Sequence, residues 1–418
     1  MTTTNTRLPI DPAQIERDIV ELARYTNPDV PFTRLAFTDL DKQARQVVSG
    51  WMEALGLSLR TDAAGNMIGL RKGGDQSAPA LVIGSHVDTV YAGGRFDGIA
   101  GVVTALAIIR ALNDAGITTR HPIEVINFTC EEPTIAGLTP FGSKAMAGVL
   151  DQSRVSEAIG PDGRPLVEGI NLLGGDGENI ANAQRDPAEI KAYLELHIEQ
   201  GSVLEREGFR VGTVSAIATS ARGRIIVEGR ADHAGATMMD ERQDALCAAA
   251  EIVLALEQAA KAPGLKDAVA TVGILEVSPG FPNIIPGRVE MVVEARSVRQ
   301  EEKEAVKATL METINDVQLQ RGVKIGVVWN SDELPVTVPD EMQNVIAESS
   351  GDLGIPIRVL PSRAAHDANA LSLLAPIGMV FVPSLNGLSH CPDEWSSFED
   401  IALGAEVLGT ALLKLDAQ

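Results

Sequence analysis

The first half of the chain alternates short apolar runs with a longer segment of helical periodicity. The runs PALVIGSH (residues 79–86) and IEVINFT (123–129) are continuous and rich in β-branched residues, as strands buried on both faces are. Between them, residues 98–115 repeat Ile, Val and Leu at helical spacing. This order predicts an α/β unit with a mixed, mostly parallel sheet and helices on both of its faces.

From about residue 215 the pattern changes to β-α-β-β-α-β. The strand-like runs are RGRIIVEG, AVATVGILEV, GRVEMVVEA and KIGVVW, and helices are predicted over residues 241–261 and 300–321. This arrangement is typical of a small α+β sandwich in which one face of the sheet carries the helices.

After residue 331 the chain continues with a helix, a loop (LPSRAAHDAN), a buried-type strand (IGMVFVPS) and a closing helix over residues 398–415. We therefore expect one domain of residues 1–214 and 331–418, interrupted by an inserted domain of residues 215–330. The stretch 151–186 is rich in Gly, Pro, Asn and Asp, which predicts a long surface excursion of the first domain.

The charge balance limits the classes of partner. The chain has 57 Asp and Glu against 35 Lys and Arg, a formal net charge of -22, so its surface should repel nucleic acids and anionic membranes. Its three cysteines, Cys130, Cys247 and Cys391, form no CxxC motif, which favours a reducing compartment, by default the cytoplasm. The sequence contains no recognisable targeting or membrane segment.

Histidines and carboxylates stand at the ends of the predicted strands. His86 ends the first strand in SHVD, and Asp88, two residues on, is placed to hold the imidazole in one tautomer. Asp97 lies in the glycine-flanked turn GGRFDG, which leaves its carboxylate open. Glu131 and Glu132 follow the next strand, at the edge where α/β sheets place ligands. One of these two carboxylates can bind a metal while the other stays free as a base.

His197 (LHIEQG) and His390 (GLSHC) complete a set of three histidines, one aspartate and one glutamate. A lone histidine is more often a hydrogen-bonded structural residue, but the joint order of these five argues for metal ligands. The donors suit zinc, manganese, cobalt or nickel, and five donors with one shared aspartate fit two ions. Such a pair is suited to metal-assisted amide hydrolysis.

The motifs SHVDTV, GGRFDG, CEEP, HIEQG, ADHAGAT, PNIIPG, AHDA and LSH, in this order, resemble the amidase branch of the M20 metallopeptidases. That branch contains N-carbamoyl-L-amino-acid hydrolases, allantoate amidohydrolases and β-ureidopropionases. The resemblance covers nearly the whole chain and implies a dinuclear metal hydrolase whose inserted lid domain also forms a homodimer. The peptidase branch usually has an acidic residue at the position of His197, so the HIEQG motif favours the amidases.

The resemblance also implies the distribution of the metal ligands. Asp97 would bridge the two ions, one held also by His86 and His197 and the other by Glu132 and His390.

Five further residues receive roles by the same resemblance. Glu131 would be the general base, and His233 would reach across the dimer to polarise the scissile carbonyl. Asn283 and Arg296 would bind the α-carboxylate of the substrate, and Gln200 would make another polar contact to it. Without the resemblance, His233 is equally well a structural histidine and Arg296 a partner in a surface ion pair.

The chain departs from the family in the loop before His366, where Arg363 stands in SRAAHD and the family commonly has glycines. Arg363 either recognises a second anionic group of the substrate or is a solvated loop arginine. His366 receives no ligand role from the sequence. Cys391 occupies a position where the family usually has serine, and we expect a small buried residue there. Pro133 after the two glutamates predicts a local change of loop shape.

The leading expectation is therefore an amidohydrolase that cleaves the ureido group of N-carbamoyl-L-amino acids to the amino acid, ammonia and carbon dioxide. Allantoate amidohydrolase and N-acyl-amino-acid or dipeptide hydrolase are alternatives that use the same site. A catalytically inactive relative that acts as a metal-dependent dimeric binding protein is disfavoured, because Glu131 and the full ligand set are present.

Overall fold

The computed structural model describes residues 7–135 and 137–418 and divides the chain into two compact units. The first unit comprises the described residues up to Ser215 together with Val338–Gln418. The inserted unit is Ala216–Thr337.

The elements follow in chain order. The strands are β1 (Ser58–Thr61), β2 (Met67–Arg71), β3 (Ala80–His86), β4 (Ile123–Phe128), β5 (Ile190–Ile198), β6 (Val211–Ile217), β7 (Thr219–Glu228), β8 (Asp232–His233), β9 (Val269–Ser278), β10 (Ile284–Ile285), β11 (Arg288–Ser297), β12 (Lys324–Asp332), β13 (Val336–Thr337), β14 (Ile357–Ser362) and β15 (Ile377–Val382). The helices are α1 (Pro12–Leu22), α2 (Asp39–Ala54), α3 (Ile99–Asp114), α4 (Phe141–Met146), α5 (Gln152–Glu157), α6 (Leu166–Leu172), α7 (Val203–Glu207), α8 (Ala245–Ala260), α9 (Gln300–Arg321), α10 (Asp340–Asp352), α11 (Asp367–Leu371) and α12 (Phe398–Ala417).

The sheet of the first unit has a parallel centre. β3 pairs in parallel with β4 and β5, and β15 pairs in parallel with β5. β2 and then β1 extend the sheet beyond β4 in antiparallel pairing, and β6 pairs antiparallel with β15 on the other side. Every residue of β3, β4 and β15 is buried, which matches their continuous apolar sequences. The predicted fold class, a mixed and mostly parallel sheet with helices, is confirmed.

Two groups of helices pack on this sheet. α1, α3 and α12 contact one another, and α3 and α12 also contact β5. α4 and α11 form the second group, in which α4 contacts β4 and α11 contacts β5 and β15. Among the described helices, none has both the length and the apolar character that crossing a bilayer requires.

The inserted unit is an antiparallel sheet of strand order β12-β7-β11-β9 with α8 and α9 packed against it. Alternate residues of β11 are buried, which is the period of a strand with one covered face. The predicted order β-α-β-β-α-β is confirmed. α8 begins later than its apolar pattern predicts, because the side chain of Asp244 caps the N–H groups of Leu246 and Cys247.

One local prediction was incomplete and another was wrong. The stretch 151–186 lies mostly at the surface, as predicted, but it also contains α5, α6 and a 3-10 helix (Ile180–Ala183), and its residues Val155, Leu166 and Ile170 bury their side chains in a cluster that includes Phe37 and Phe141. The predicted loop LPSRAAHDAN contains the end of β14 and the start of α11.

Candidate active site

Polar side chains converge at the carboxyl edge of the parallel strands of the first unit. His86 ends β3, His197 is next to last in β5, and Glu131 and Glu132 follow β4. Three further side chains come from loops, and they are Asp97 before α3, Gln200 after β5 and His390 between β15 and α12. In sheets of this kind ligands bind outside the carboxyl ends of the strands.

One triad of donors is formed by His86, Asp97 and His197. Oδ1 of Asp97 lies 3.1 Å from Nε2 of His197 and 3.7 Å from Nε2 of His86. The three donor atoms lie within 4.8 Å of one another, so one ion can contact all three. Gly98 makes this approach possible, because a Cβ at its position would lie 2.3 Å from Cε1 of His86.

The second triad shares Asp97 and adds Glu132 and His390. Oδ2 of Asp97 lies 3.1 Å from Nε2 of His390, and that nitrogen lies 3.5 Å from Oε1 of Glu132. These donors also lie within 4.8 Å of one another. The aspartate therefore presents one oxygen to each triad, which is the arrangement of a bridging carboxylate.

Backbone carbonyls fix the tautomers of two of the histidines. Nδ1 of His86 donates to the carbonyl oxygen of Asp88 at 3.0 Å, and Nδ1 of His197 donates to that of Ile198 at 2.9 Å. In the neutral form of each ring Nε2 consequently carries the lone pair, and in both rings Nε2 is the nitrogen that faces Asp97. A histidine needs this tautomer, held by a hydrogen bond on the other nitrogen, to bind a metal through Nε2.

The carboxylate of Asp88 differs from the sequence-based expectation. Oδ1 of this carboxylate lies 3.6 Å from Nδ1 of His86. The backbone carbonyl oxygen of Asp88 is closer to the same nitrogen, at 3.0 Å, and accepts its hydrogen bond. Instead the carboxylate accepts the backbone N–H groups of Glu131 at 3.3 Å and Glu132 at 3.2 Å. The side chain of Asp88 thus orients the segment that carries both glutamates.

Burial and crowding of like charge shift the acid–base properties of the site. Burial lowers the pKa of His86 to about 4, so this imidazole is neutral at neutral pH. Burial opposes the charged form of His197, but the hydrogen bond and charge of Asp97 outweigh it and raise the pKa of His197 to about 9. Burial and neighbouring carboxylates hold the pKa values of Glu131 and Glu132 well above their usual range. So many buried carboxylates side by side are typical of a cation site.

Glu131 belongs to neither triad. Its Oε2 lies 3.8 Å from Nε2 of His86, and its side chain is 10% exposed. The carboxylate is therefore next to the first triad without being one of its donors, which is the position that a base beside a bound ion requires.

Gln200 lies against the shared aspartate. Its Nε2 donates to Oδ2 of Asp97 at 2.6 Å and lies 3.4 Å from Nε2 of His390. The backbone N–H of Gln200 donates to Oγ of Ser384 at 3.0 Å, which holds the residue at its positive φ of 56°. Its Oε1 is buried and accepts no hydrogen bond from the described residues.

His366, for which the sequence predicts no ligand role, is engaged through both ring nitrogens. Its Nε2 lies 2.7 Å from Oγ of Ser362, and its side chain also accepts the backbone N–H of Asn369 at the start of α11. The buried ring stands edge-on to that of His197, with 4.5 Å between centroids. His366 thus supports a candidate ligand by packing. Arg363 is exposed on the loop that precedes it.

Sequence reasoning missed two buried carboxylates of this region, Glu195, which forms a third donor group with His197 and His366, and Glu394, which lies four residues after His390. Burial, followed by the charge of Asp97, raises the pKa of Glu394 to about 7. The only local signal was an acidic residue in an apolar context near a candidate ligand, in HCPDEW.

The three remaining predicted residues belong to the inserted unit. Nδ1 of His233 accepts the N–H groups of Gly235 and Ala236, both at 3.1 Å, so its Nε2 carries the proton in the neutral ring, and the side chain is exposed. The carbonyl oxygen of Asn283 accepts the N–H of Ala234, which makes Asn283 and His233 close neighbours. Arg296 lies on β11, where its guanidinium donates to Oε1 of Glu294 at 2.9 Å.

Comparison with known proteins gives a consistent assignment. The profile of peptidase family M20/M25/M40 matches residues 82–414. The chain is 40% identical over 381 residues to an N-carbamoyl-L-amino acid amidohydrolase of Geobacillus stearothermophilus, covering 91% of this chain and 92% of that protein. It is 35% identical over 421 residues to a ureidoglycolate hydrolase of Oryza sativa subsp. japonica, covering 98% of this chain and 86% of that protein.

The fold agrees with these relatives. A solved amidase of the hydantoinase/carbamoylase family from Burkholderia multivorans superposes with a TM-score of 0.87 at 33% identity, covering 98% of this chain and 99% of that one. The predicted resemblance is confirmed. The chain belongs to peptidase family M20/M25/M40 and is a hydrolase that acts on carbon–nitrogen bonds of linear amides.

Proposed function

We propose that this protein is a dinuclear-metal amidohydrolase that cleaves the ureido group of N-carbamoyl-L-amino acids to the amino acid, ammonia and carbon dioxide. The observation that carries the proposal is the pair of donor triads that share Asp97, with Glu131 beside them. The free cysteines support a reducing compartment such as the cytoplasm as its location.

The donor set fits two divalent ions. His86, Asp97 and His197 would hold one, and Asp97, Glu132 and His390 the other. Nitrogen and carboxylate donors suit zinc, manganese, cobalt and nickel alike, so the ligands do not rank these metals. When bound, the ions supply Lewis acidity toward a carbonyl oxygen and lower the pKa of water.

Glu131 would move the proton in the reaction. Its carboxylate accepts a proton from the water that attacks the ureido carbon and later gives one to the leaving nitrogen. Asp88 contributes by holding the backbone N–H of Glu131, which keeps the carboxylate beside the first triad.

Four further side chains would bind the substrate. The unpartnered Oε1 of Gln200 is suited to accept an N–H of the ureido group. In the inserted unit, Arg296 and Asn283 would bind the carboxylate of the substrate, and the protonated Nε2 of His233 would donate to the scissile carbonyl. We propose further that the inserted unit acts as a lid and forms a homodimer through which His233 reaches the partner's site.

The relatives support a substrate with a ureido group on a carbon that also bears a carboxylate. The Geobacillus stearothermophilus relative is named for N-carbamoyl-L-amino acids, and the rice relative for ureidoglycolate. Ureidoglycolate has the same ureido and carboxylate groups, with a hydroxyl in place of the amino-acid side chain. Arg363 would tune the choice among such substrates if its guanidinium meets a second anionic group.

The test is a substrate panel with protein reconstituted with manganese or cobalt, in which ammonia and amino acid are measured in parallel. The panel contains N-carbamoyl-L- and D-amino acids, N-carbamoyl-β-alanine, ureidoglycolate, allantoate and N-acyl-amino acids. We expect ammonia and free L-amino acid from N-carbamoyl-L-amino acids, strongly reduced release by Glu131→Gln, and no release by chelator-treated protein.

Two results would overturn the substrate assignment. Release of amino acid without ammonia from N-acyl-amino acids alone would identify an acyl-amino-acid hydrolase. Turnover restricted to allantoate would identify an allantoate amidohydrolase on the same residues.

A further inference from the structure

The buried carboxylate of Glu394 connects two loops that carry candidate ligands. Its side chain is 1% exposed, and its Oε1 accepts the backbone N–H of Phe96 at 2.8 Å and that of Asp97 at 3.2 Å. Its Oε2 accepts the hydroxyl of Ser389 at 2.8 Å. One side chain is therefore bonded to the backbone of the shared aspartate and to the residue immediately before His390.

The surroundings of this carboxylate are built to admit it and to exclude water. Gly94 has a φ of 121°, and a Cβ at its position would lie 2.4 Å from Oε1 of Glu394. The ring of Phe96 contacts those of Trp395 and Phe398, with centroid distances of 5.3 and 5.7 Å. The aromatic contacts press the two loops together around the carboxylate, where its hydrogen bonds are shielded from competition by solvent.

His390 has particular need of such an anchor. It has a φ of 55°, and its side chain is 47% exposed, whereas the other four candidate ligands are buried. Packing therefore fixes the two rings and two carboxylates of the other four candidate ligands, whereas the position of the His390 side chain depends on its loop. Ser389 joins that loop to Asp97 as well, because its Oγ lies 3.2 Å from Oδ2 of the aspartate.

We propose that Glu394 is a positioning residue that sets the separation of Asp97 and His390 and thereby builds the second ion site. The inference rests on the proposed function, because it requires an ion at the triad of Asp97, Glu132 and His390. Glu394 itself is not a ligand. It acts through the backbone N–H of Asp97 and through Ser389.

A generic stabilising role is the competing explanation, and the chain contains a matched control for it. Glu302 in the inserted unit is 5% exposed and accepts two backbone N–H groups, from Lys266 and Asp267, and the hydroxyl of Ser297, all at 3.0 Å. Its donor set is that of Glu394, but the inserted unit supplies none of the five candidate ligands. Removal of either carboxylate should therefore destabilise the unit that contains it. Only removal of Glu394 should weaken the binding of an ion.

The experiment measures how many ions the protein binds and with what affinity. Metal-free protein is mixed with a chromophoric chelator that competes for the ions, and the mixture is titrated with Mn²⁺ or Zn²⁺. For Glu394→Ala we expect one of the two ions to bind about 10- to 100-fold more weakly, which is the range for loss of a residue that supports a ligand. Glu302→Ala should bind both ions as wild type does, while its thermal unfolding midpoint falls. Glu394→Gln should stay within a few-fold of wild type, since its amide oxygen still accepts both N–H groups and its NH₂ group still reaches Ser389.

Three outcomes overturn the inference alone, provided that wild type binds two ions. The first is that Glu394→Ala binds both ions with unchanged affinity. The second is that Glu302→Ala loses as much metal affinity as Glu394→Ala. The third is that Glu394→Gln loses as much metal affinity as Glu394→Ala, which would make the charge of Glu394 rather than its position the cause. Wild type that binds fewer than two ions overturns the proposed function and this inference with it. If Glu394→Ala does not fold, Ser389→Ala cuts the link to His390 and should weaken the same ion, and wild-type affinity in that variant refutes the proposal.

Discussion

Replacement of Gly98 by alanine should damage the site through the ring of His86. The residue has a φ of 67°, and an added Cβ would lie 2.3–2.5 Å from three atoms of the imidazole, Cε1, Nε2 and Cδ2. Ordinary contact needs at least 3.4 Å, so the ring has to move by roughly 1 Å. The moving atoms include Nε2, the donor that faces Asp97.

The expected loss has two separable parts. The unfavourable backbone conformation costs about 1–3 kcal/mol of stability. A displacement of about 1 Å in a reacting site lowers turnover by about 100-fold, and disturbance of a ligand weakens metal binding by about 10- to 100-fold.

Gly116→Ala is the matched control, because Gly116 has a φ of 65° at the other end of α3 and a Cβ there would meet nothing within 4 Å. Chemical denaturation, metal titration and ammonia release should be measured on both variants. We expect both to lose stability and only Gly98→Ala to lose metal affinity and turnover. Wild-type metal affinity in Gly98→Ala, or an equal loss in Gly116→Ala, would refute the reasoning.

Three further predictions concern the proton, the substrate carboxylate and pH. Glu131→Gln should bind both ions as wild type does and lose turnover by about 10²- to 10⁴-fold in the ammonia assay, and turnover near wild type would exclude this residue as the base. Arg296→Ala should raise KM for carboxylate-bearing substrates by about 10- to 100-fold, the value of a charged hydrogen bond. Arg288→Ala removes a similar ion pair on β11, with Glu290, and should leave KM unchanged. An equal rise of KM in both variants would contradict the assignment of Arg296. Because Asp97 outweighs burial and raises the pKa of His197 to about 9, an entering ion must displace a proton below that pH. The affinity of the metal-free protein for the ion should then rise by at least about tenfold per pH unit up to pH 9. Calorimetry in buffers of different ionisation enthalpy should show the release of the proton. An affinity that does not change with pH would show that His197 is already deprotonated.

Three of the candidate donors, His86, Glu132 and His197, could be found from the sequence because they stand at the end of an apolar run, and Asp97 and His390 because they stand in short loop motifs. His86 and the glutamates after β4 follow continuous buried strands, and a parallel sheet brings such ends together whatever the loops between them do. Glu394 has no such signal, since its backbone partners Phe96 and Asp97 lie 298 and 297 positions away in the chain. Only the folded structure brings them into contact.

The differences between the predicted and the observed fold have a similar origin. Gly, Pro and Asn in the stretch 151–186 predict turns, but its few apolar residues become a core only when Phe37 and Phe141 meet them. α11 has only five residues, too few to display a helical period, and it begins where His366 and Asn369 cap each other. The role of Asp88 depends on which of two nearby groups bonds to His86, a choice that residue spacing does not decide.

The central position of β15 in the sheet determines when the protein can become active during its synthesis. β15 and His390 both come from the last part of the chain, yet β15 lies between β5 and β6, and His390 completes a triad with residues from the first third. A nascent chain therefore exposes the edges of β5 and β6 that pair with β15 until β15 itself has been made. Such late, non-local pairing makes folding slow and leaves edges that favour association with other chains. A product truncated before β15 can hold neither a complete sheet nor a complete second triad, so translation that stops before β15 yields inactive protein.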